Sequence, residues 1–337
     1  MNYKNLITYI ILWVFWIIMF YLNWIVWVLE FILSLITYTI IFYFFHILWS
    51  KFRKKSILNS YDFINYFLYR ISILLLFFST LIWWLAYISN NIYPAVMPEY
   101  TISNWDKIVK FQAMSHIWTK NFYNEVKNNL INAKKDWYVY FFEWVKSGTK
   151  ENHKKFNQAI WIKFDKNLYK NFSKLYWVVN QDNSLFLWLV NNLDFNVDIN
   201  IDQIMNLYDK KIKENPNKNN TNKIPLDANK EIIDTLSTLN DRELKVLVYI
   251  NQAILNFLIW SNKTQEILTN NLANKQLFEV ILWERNKVIA NEIINSKYKK
   301  IYATYWLLHF KWILKLLQKN DPNWKIVSVK YLYPIKK

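Results

Sequence analysis

A single glycine, Gly148, in a chain of 337 residues leaves almost no position free to adopt positive φ without steric cost. Ordinary usage near 7% gives roughly 24 glycines at this length. Helix C-termini and tight turns normally recruit glycine for that freedom, so a soluble domain written in this alphabet must end its helices some other way. Nineteen tryptophans accompany the one glycine. Several stand where glycine is expected. Trp24, Trp105 and Trp324 follow Asn, and Trp137 follows Asp, the slots of Asn-Gly and Asp-Gly turns. Trp137 and Trp177 also follow amphipathic helical stretches, at the position just past the C-cap. The pattern predicts that many of these tryptophans are UGA codons that the source organism reads as glycine; the alternative is a genuinely tryptophan-rich membrane protein.

Residues Leu6 to Trp49 carry one acidic side chain, Glu30, and one histidine, His46. A helix over that stretch is about 66 Å long, against a hydrocarbon core of about 30 Å, so two spans are expected, roughly 6–28 and 31–49, turning near Glu30. A third apolar run covers about 71–89. Lys51, Arg53, Lys54 and Lys55 lie between the second and third runs, and Arg70 stands at the mouth of the third. The positive-inside rule puts that loop and the N-terminus in the cytoplasm and everything after about residue 92 outside. The expected organisation is therefore a membrane region over 1–94 and a soluble domain over 95–337. A transporter is not expected, because Glu30 and His46 alone offer no conduction path.

Cysteine is absent, which excludes disulfides, thiolate metal sites and cysteine nucleophiles. The net charge of +17 would suit nucleic acid, but the chain is rich in Lys, Asn, Ile, Tyr and Phe together, a mix that AT-rich codons produce, and the domain is expected to face away from the cytoplasm. No nucleic-acid partner is expected.

Within the domain, strands are expected at 108–114, 138–142, 300–305 and 325–333. Helices are expected at about 121–135, 165–176, 200–213, 241–260, 264–296 and 311–319, with a loop over 214–230. This alternation predicts an α/β fold, a central β-sheet flanked by helices. His116 follows the strand at 108–114, Glu143 follows the strand at 138–142, and His309 follows the strand at 300–305. If those strands are parallel, all three emerge at one sheet edge, where loops converge on ligands. Two imidazoles and a carboxylate suit one divalent metal with an open position. Taken singly, each has a plainer reading: a hydrogen-bonded turn histidine, or a surface carboxylate. Arg285 suits a salt bridge with a helix neighbour such as Glu284 or with a loop carboxylate, and Asp198 suits the start of the next helix.

With Trp306 and Trp312 read as glycine, Trp306-Leu-Leu-His309-Phe-Lys-Trp312 becomes Gly-x-x-His-x-x-Gly. Glu284-Arg285-Asn286 lies upstream, and Ala113-Met-Ser-His116 matches a first Gly-x-x-His with alanine in place of glycine. In order and spacing, residues 108–331 resemble the TraB/Tiki superfamily, which includes GumN-like proteins. The resemblance implies an erythromycin-esterase-like α/β domain, and its animal members are divalent-metal-dependent peptidases acting outside the membrane. It implies His116, Glu143 and His309 as ligands of a transition metal (Mn, Co or Zn), Glu143 and Arg285 as catalytic residues, and Asp198 and Asn286 as further site residues. The expected function is a membrane-anchored metallohydrolase acting on extracytoplasmic peptides. The competing expectation is a non-catalytic surface protein that captures a peptide or other ligand in the same cleft.

Overall fold

The computed structural model describes residues 3–22, 25–160, 167–182, 184–214, 227–260 and 275–335, with backbone alone at 25–28 and 275. The chain divides into two compact units, Met1–Tyr87 with Asp241–Glu243, and Ile88–Asn240 with Leu244–Lys337.

The first unit holds three helices, α1 (Tyr3–Tyr21), α2 (Ile25–Phe52) and α3 (Ser60–Tyr87). Each carries a stretch long and apolar enough to cross a membrane. Their bulky side chains point outward: Leu33 is 70% exposed, and Phe44 and Phe77 are exposed as well. Aromatic pairs link the helices, Phe15 with Phe31 at 5.4 Å between centroids and His46 with Phe63 at 5.2 Å. Two expected boundaries move. The break between the first two helices precedes residue 25, so Glu30 sits inside α2 on an exposed face rather than at a turn. Glu is a good helix former, which favours its place inside α2. The third helix begins at Ser60 rather than near 71, its first turn closed by Asn59 Oδ1 accepting from the Asp62 N–H at 2.8 Å.

The second unit is mixed α/β. Its strands are β1 (Met97–Ser103), β2 (Ile108–Met114), β3 (Ile117–Trp118), β4 (Val139–Phe142), β5 (Val179–Asn180), β6 (Phe195–Asn196), β7 (Lys300–Trp306) and β8 (Lys325–Leu332). Six form one sheet in the order β6-β4-β7-β2-β1-β8, while β3 and β5 pair separately. β2, β4 and β6 run parallel to their neighbours around β7, and β1 is antiparallel to both β2 and β8. The central strands are buried on both faces, as Phe111 and Ala303 on one face and Gln112 and Tyr302 on the other show, which fits a parallel core covered by helices.

The helices are α4 (Lys120–Lys135), α5 (Lys150–Ile160), α6 (Leu168–Lys174), α7 (Ser184–Leu187), α8 (Ile201–Glu214), α9 (Ala228–Thr238), α10 (Asp241–Trp260), α11 (Lys275–Glu279), α12 (Arg285–Asn295) and α13 (Phe310–Asn320). A π turn, Val280–Glu284, joins α11 to α12. On α4, Phe122, Val126, Leu130 and Ala133 recur at helical spacing and all face the sheet. The first parts of the helices expected at 165–176 and 264–296, and most of the loop expected at 214–230, lie outside the described residues.

Among the described residues, four that are not glycine have positive φ: Lys54 (52°), Trp105 (75°), Trp137 (66°) and Trp177 (48°). A left-handed backbone costs a residue with a Cβ about 1–2 kcal/mol. Trp324 belongs to a different class. Its N–H closes the expected turn on Asp321 O at 3.2 Å, but without positive φ, and its ring is 2% exposed and packed in the main core. Gly148 itself is needed for space: a Cβ there would lie 2.5 Å from Asp202 Oδ1, an atom already bonded by the Thr149 and Asn152 side chains.

Candidate functional site

Because β2, β4, β6 and β7 are parallel, their C-terminal ends lie along one edge, with Met114 opposite Trp306 and Phe142 opposite both Thr304 and Asn196. That edge carries His116, Glu143, Asp198 and the turn Leu307–His309. The same edge opens into a cavity of about 320 Å³ lined by Ser115, His116, Glu143, Tyr169, Arg285 and Trp306 among others.

Arg285 is the hinge of the arrangement. It is 4% exposed, and its guanidinium binds Asp198 in bidentate fashion, Nε to Oδ1 at 2.7 Å and Nη2 to Oδ2 at 2.9 Å. Nη2 also donates to Glu143 Oε1. The other Glu143 oxygen accepts the Trp306 N–H at 2.7 Å. Tyr305 lies under the guanidinium with its ring centroid 5.5 Å away. The π turn just before Arg285 adds a residue to the helical winding, a distortion frequent at functional sites. It precedes two consecutive buried polar residues, Arg285 and Asn286. The helix neighbour Glu284 pairs with Lys287 at 2.9 Å instead of with Arg285.

The two carboxylates share one cation and are pushed in opposite directions. Burial raises the Glu143 pKa, but the Arg285 guanidinium and the Trp306 N–H outweigh burial and hold it below the ordinary range. At Asp198 burial dominates over Arg285, aided by the neighbouring Glu143 charge, and the pKa is raised.

The histidines differ. His309 is fully buried, and its Nδ1 lies 2.7 Å from Asn286 Oδ1. An amide oxygen only accepts, so Nδ1 carries the proton, and Nε2 is left as a bare lone pair with no hydrogen-bond partner. Burial and then Arg285 push its pKa down to about 3, so the ring is neutral at physiological pH. His116 is exposed to the cavity, with its ring 4.7 Å from that of Tyr169. Desolvation by the surrounding wall lowers its pKa too. His309 does not line the cavity, whereas Trp306, whose ring is 5.9 Å from it, does.

The structure thus joins Glu143, Asp198 and Arg285 in one hydrogen-bonded cluster and Asn286 with His309 in another. His116 shares the cavity with Glu143 and Arg285. Among the described residues, no three His, Asp or Glu side chains are gathered closely enough to hold a metal ion. Two contributors were not expected from sequence: Tyr169, which walls the cavity beside His116, and Tyr305, whose hydroxyl lies 3.4 Å from Asp198 Oδ1. Tyrosine is so common in this chain that neither carries a local signal. Comparison with protein families, curated proteins and solved structures finds no match to this chain.

Proposed function

We propose that the protein is a membrane-anchored, metal-dependent hydrolase, a peptidase acting on extracytoplasmic peptides, with the cavity at the sheet edge as its active site. The resemblance to the TraB/Tiki superfamily motivates the reaction class. The observation that carries the reading is the state of His309: neutral, oriented by Asn286, with a buried and unpartnered Nε2. A ligating histidine has that disposition, since its second nitrogen is normally fixed by a carbonyl or carboxylate. By donor chemistry, His309, His116 and Glu143 suit a divalent transition metal, and His116 is the member whose ring is open to the cavity. A bound metal of this kind supplies Lewis-acid polarisation of a carbonyl oxygen.

The chain's own groups supply the rest. Glu143 remains ionised and, with lone pairs beyond those used by Arg285 and Trp306, accepts a proton. Arg285 holds Glu143 and Asp198 in register and places positive charge beside a developing oxyanion. The lysine- and arginine-rich segment at 51–55 supports an orientation with that loop in the cytoplasm and the α/β unit outside.

The test uses the full chain purified in detergent. Bound transition metal is expected after dialysis and is lost in His309→Gln. Peptide hydrolysis is expected to stop on chelation and to return on adding the metal back. Full activity in EDTA together with an active His116→Ala variant overturns the reading. The second reading, a non-catalytic peptide-binding protein, is favoured by the engagement of both carboxylates with Arg285 and by the separation of the histidines. Saturable peptide binding with no turnover supports it.

A further inference from the structure

We infer that α10 lies flat on the membrane surface as a lipid-contacting helix, although its length and composition would also allow it to span. Topology forbids the crossing. β1 and β2 precede α10 and β7 and β8 follow it, and all four are neighbours in one sheet, so both ends of α10 belong on the same side. One crossing between them would need a second to return. The 14 residues 261–274 are fewer than the about 20 that a helical span requires, and Leu277 and Val280 beyond them are already packed in the unit's interior.

The polar face of α10 is committed to protein. The Asn256 carboxamide accepts from the Ala95 N–H at 3.0 Å and donates to Ser89 O at 3.0 Å. Asn90 donates to Tyr249 O at 2.8 Å, and Gln252 donates to Tyr176 O at 2.7 Å. Ile254 and Phe257 point away from that face, and Trp260, one turn beyond Asn256, ends the helix; all three are exposed. Ile92 and Tyr93 are exposed as well, and with Trp260 and Tyr333 they wall one shallow apolar depression.

Lipid is the occupant the chain itself indicates. Residue 88 follows the last residue of α3 with no linker, so the segment that anchors α10 leaves the third apolar helix directly. Apolar residues with Trp and Tyr at the rim are the composition of a membrane–water interface.

The chain has no cysteine, so single-cysteine spin labels report cleanly. The full chain, reconstituted in phosphatidylcholine–phosphatidylglycerol vesicles, would be labelled in turn at Ile92→Cys, Ile254→Cys, Phe257→Cys and, on the exposed polar side of α10, Lys245→Cys. The first three labels are expected to collide with oxygen more often than with a water-soluble nickel chelate, and Lys245→Cys to show the reverse. Nickel access at all four sites overturns the proposal. So does dipolar broadening at 254 and 257 that vanishes on dilution with unlabelled chain, which would make the occupant a second copy. A label at 245 buried in hydrocarbon would make α10 a span.

A second, independent observation concerns the residue types themselves. We propose that the native polypeptide carries glycine at 105, 137 and 177. At the end of α4, the Tyr138 N–H bonds to Ala133 O at 3.0 Å and the Trp137 N–H to Lys134 O at 3.1 Å. At the end of α6, the Val178 N–H bonds to Ser173 O at 3.1 Å and the Trp177 N–H to Lys174 O at 3.3 Å. Both are Schellman closures, and in both tryptophan fills the left-handed slot that glycine normally takes. Trp105 has the largest φ of the four positive-φ residues and sits in the turn between β1 and β2. Trp105 and Trp137 are 78% and 87% exposed, so burial gives neither ring a reason to be there. Trp306, with φ of −60° and ψ of 139°, has an extended backbone open to any residue and falls outside this proposal.

Peptide mass spectrometry of the chain isolated from its source organism decides the matter. Peptides spanning 105, 137 and 177 are expected to be lighter by the difference between tryptophan and glycine. Intact tryptophan at 137 and 177 overturns the proposal.

Discussion

The two units use the same residue types in opposite senses. In α2 and α3, Leu33, Phe44 and Phe77 face outward, whereas in the α/β unit Phe111, Leu130 and Leu317 are shut inside. An apolar helix whose surroundings are lipid gains nothing from turning those side chains inward, while water drives them into a core. The difference is one of solvent, and composition averaged over the chain hides it: the mean hydropathy is −0.03.

The sharpest way to break this comparison is at the buried charge. Arg285→Met removes the cation shared by Glu143 and Asp198, and loss of one partner from a buried pair costs about 3–5 kcal/mol. Thermal unfolding of the full chain in detergent should show the α/β unit melting earlier. An unchanged transition would mean the carboxylates take up protons without structural cost. Next comes a matched pair of leucines. Leu317→Ala, in the core, should lose about 2–5 kcal/mol, while Leu33→Ala on α2 should stay within about 0.5 kcal/mol. Equal losses in chemical denaturation would erase the distinction between the units.

A smaller effect is expected from acid. The folded pKa of His309 is about 3 against an ordinary 6.5, so the unfolded chain binds more protons between those values. Its contribution is therefore complete above about pH 6.5 and lost progressively as the pH falls toward 3, by about 2 kcal/mol after allowance for relaxation around the ring. Glu143, whose pKa is also lowered, adds a loss of the same sign at the acid end. Comparing wild type with His309→Gln across this window isolates the histidine; parallel curves would show that it protonates freely in place. The smallest change is Gly148→Ala, which crowds the hydrogen-bonded Asp202 carboxylate and should cost about 1 kcal/mol in the same melting experiment.

Much of the α/β unit was legible before any coordinates. Ile108–Met114 and Lys300–Trp306 are β-branched and aromatic runs of strand length, and the period of Phe122, Val126 and Leu130 marks α4. β1 escaped notice because Pro98 lies at its start and argues against a strand; β3, β5 and β6 are two residues each, too short to show a period. The candidate site was legible in part. His116, Glu143 and Asp198 could be placed because each follows a strand, and the parallel order of β2, β4, β6 and β7 brings their ends to one edge. The pairing of Asn286 with His309 could not be read, since it joins α12 to the turn after β7.

The sequence by itself determined that the first part of the chain is apolar enough to enter a membrane and that the rest alternates strands and helices. Local composition and period suffice for both, because solvent preference and backbone geometry act over a few residues. Only the tertiary structure decided that Arg285 serves Glu143 and Asp198 rather than Glu284, and that His309 is held neutral beside Asn286. Each of those depends on strand order, which brings groups far apart in sequence within hydrogen-bonding distance, and no local pattern encodes that order.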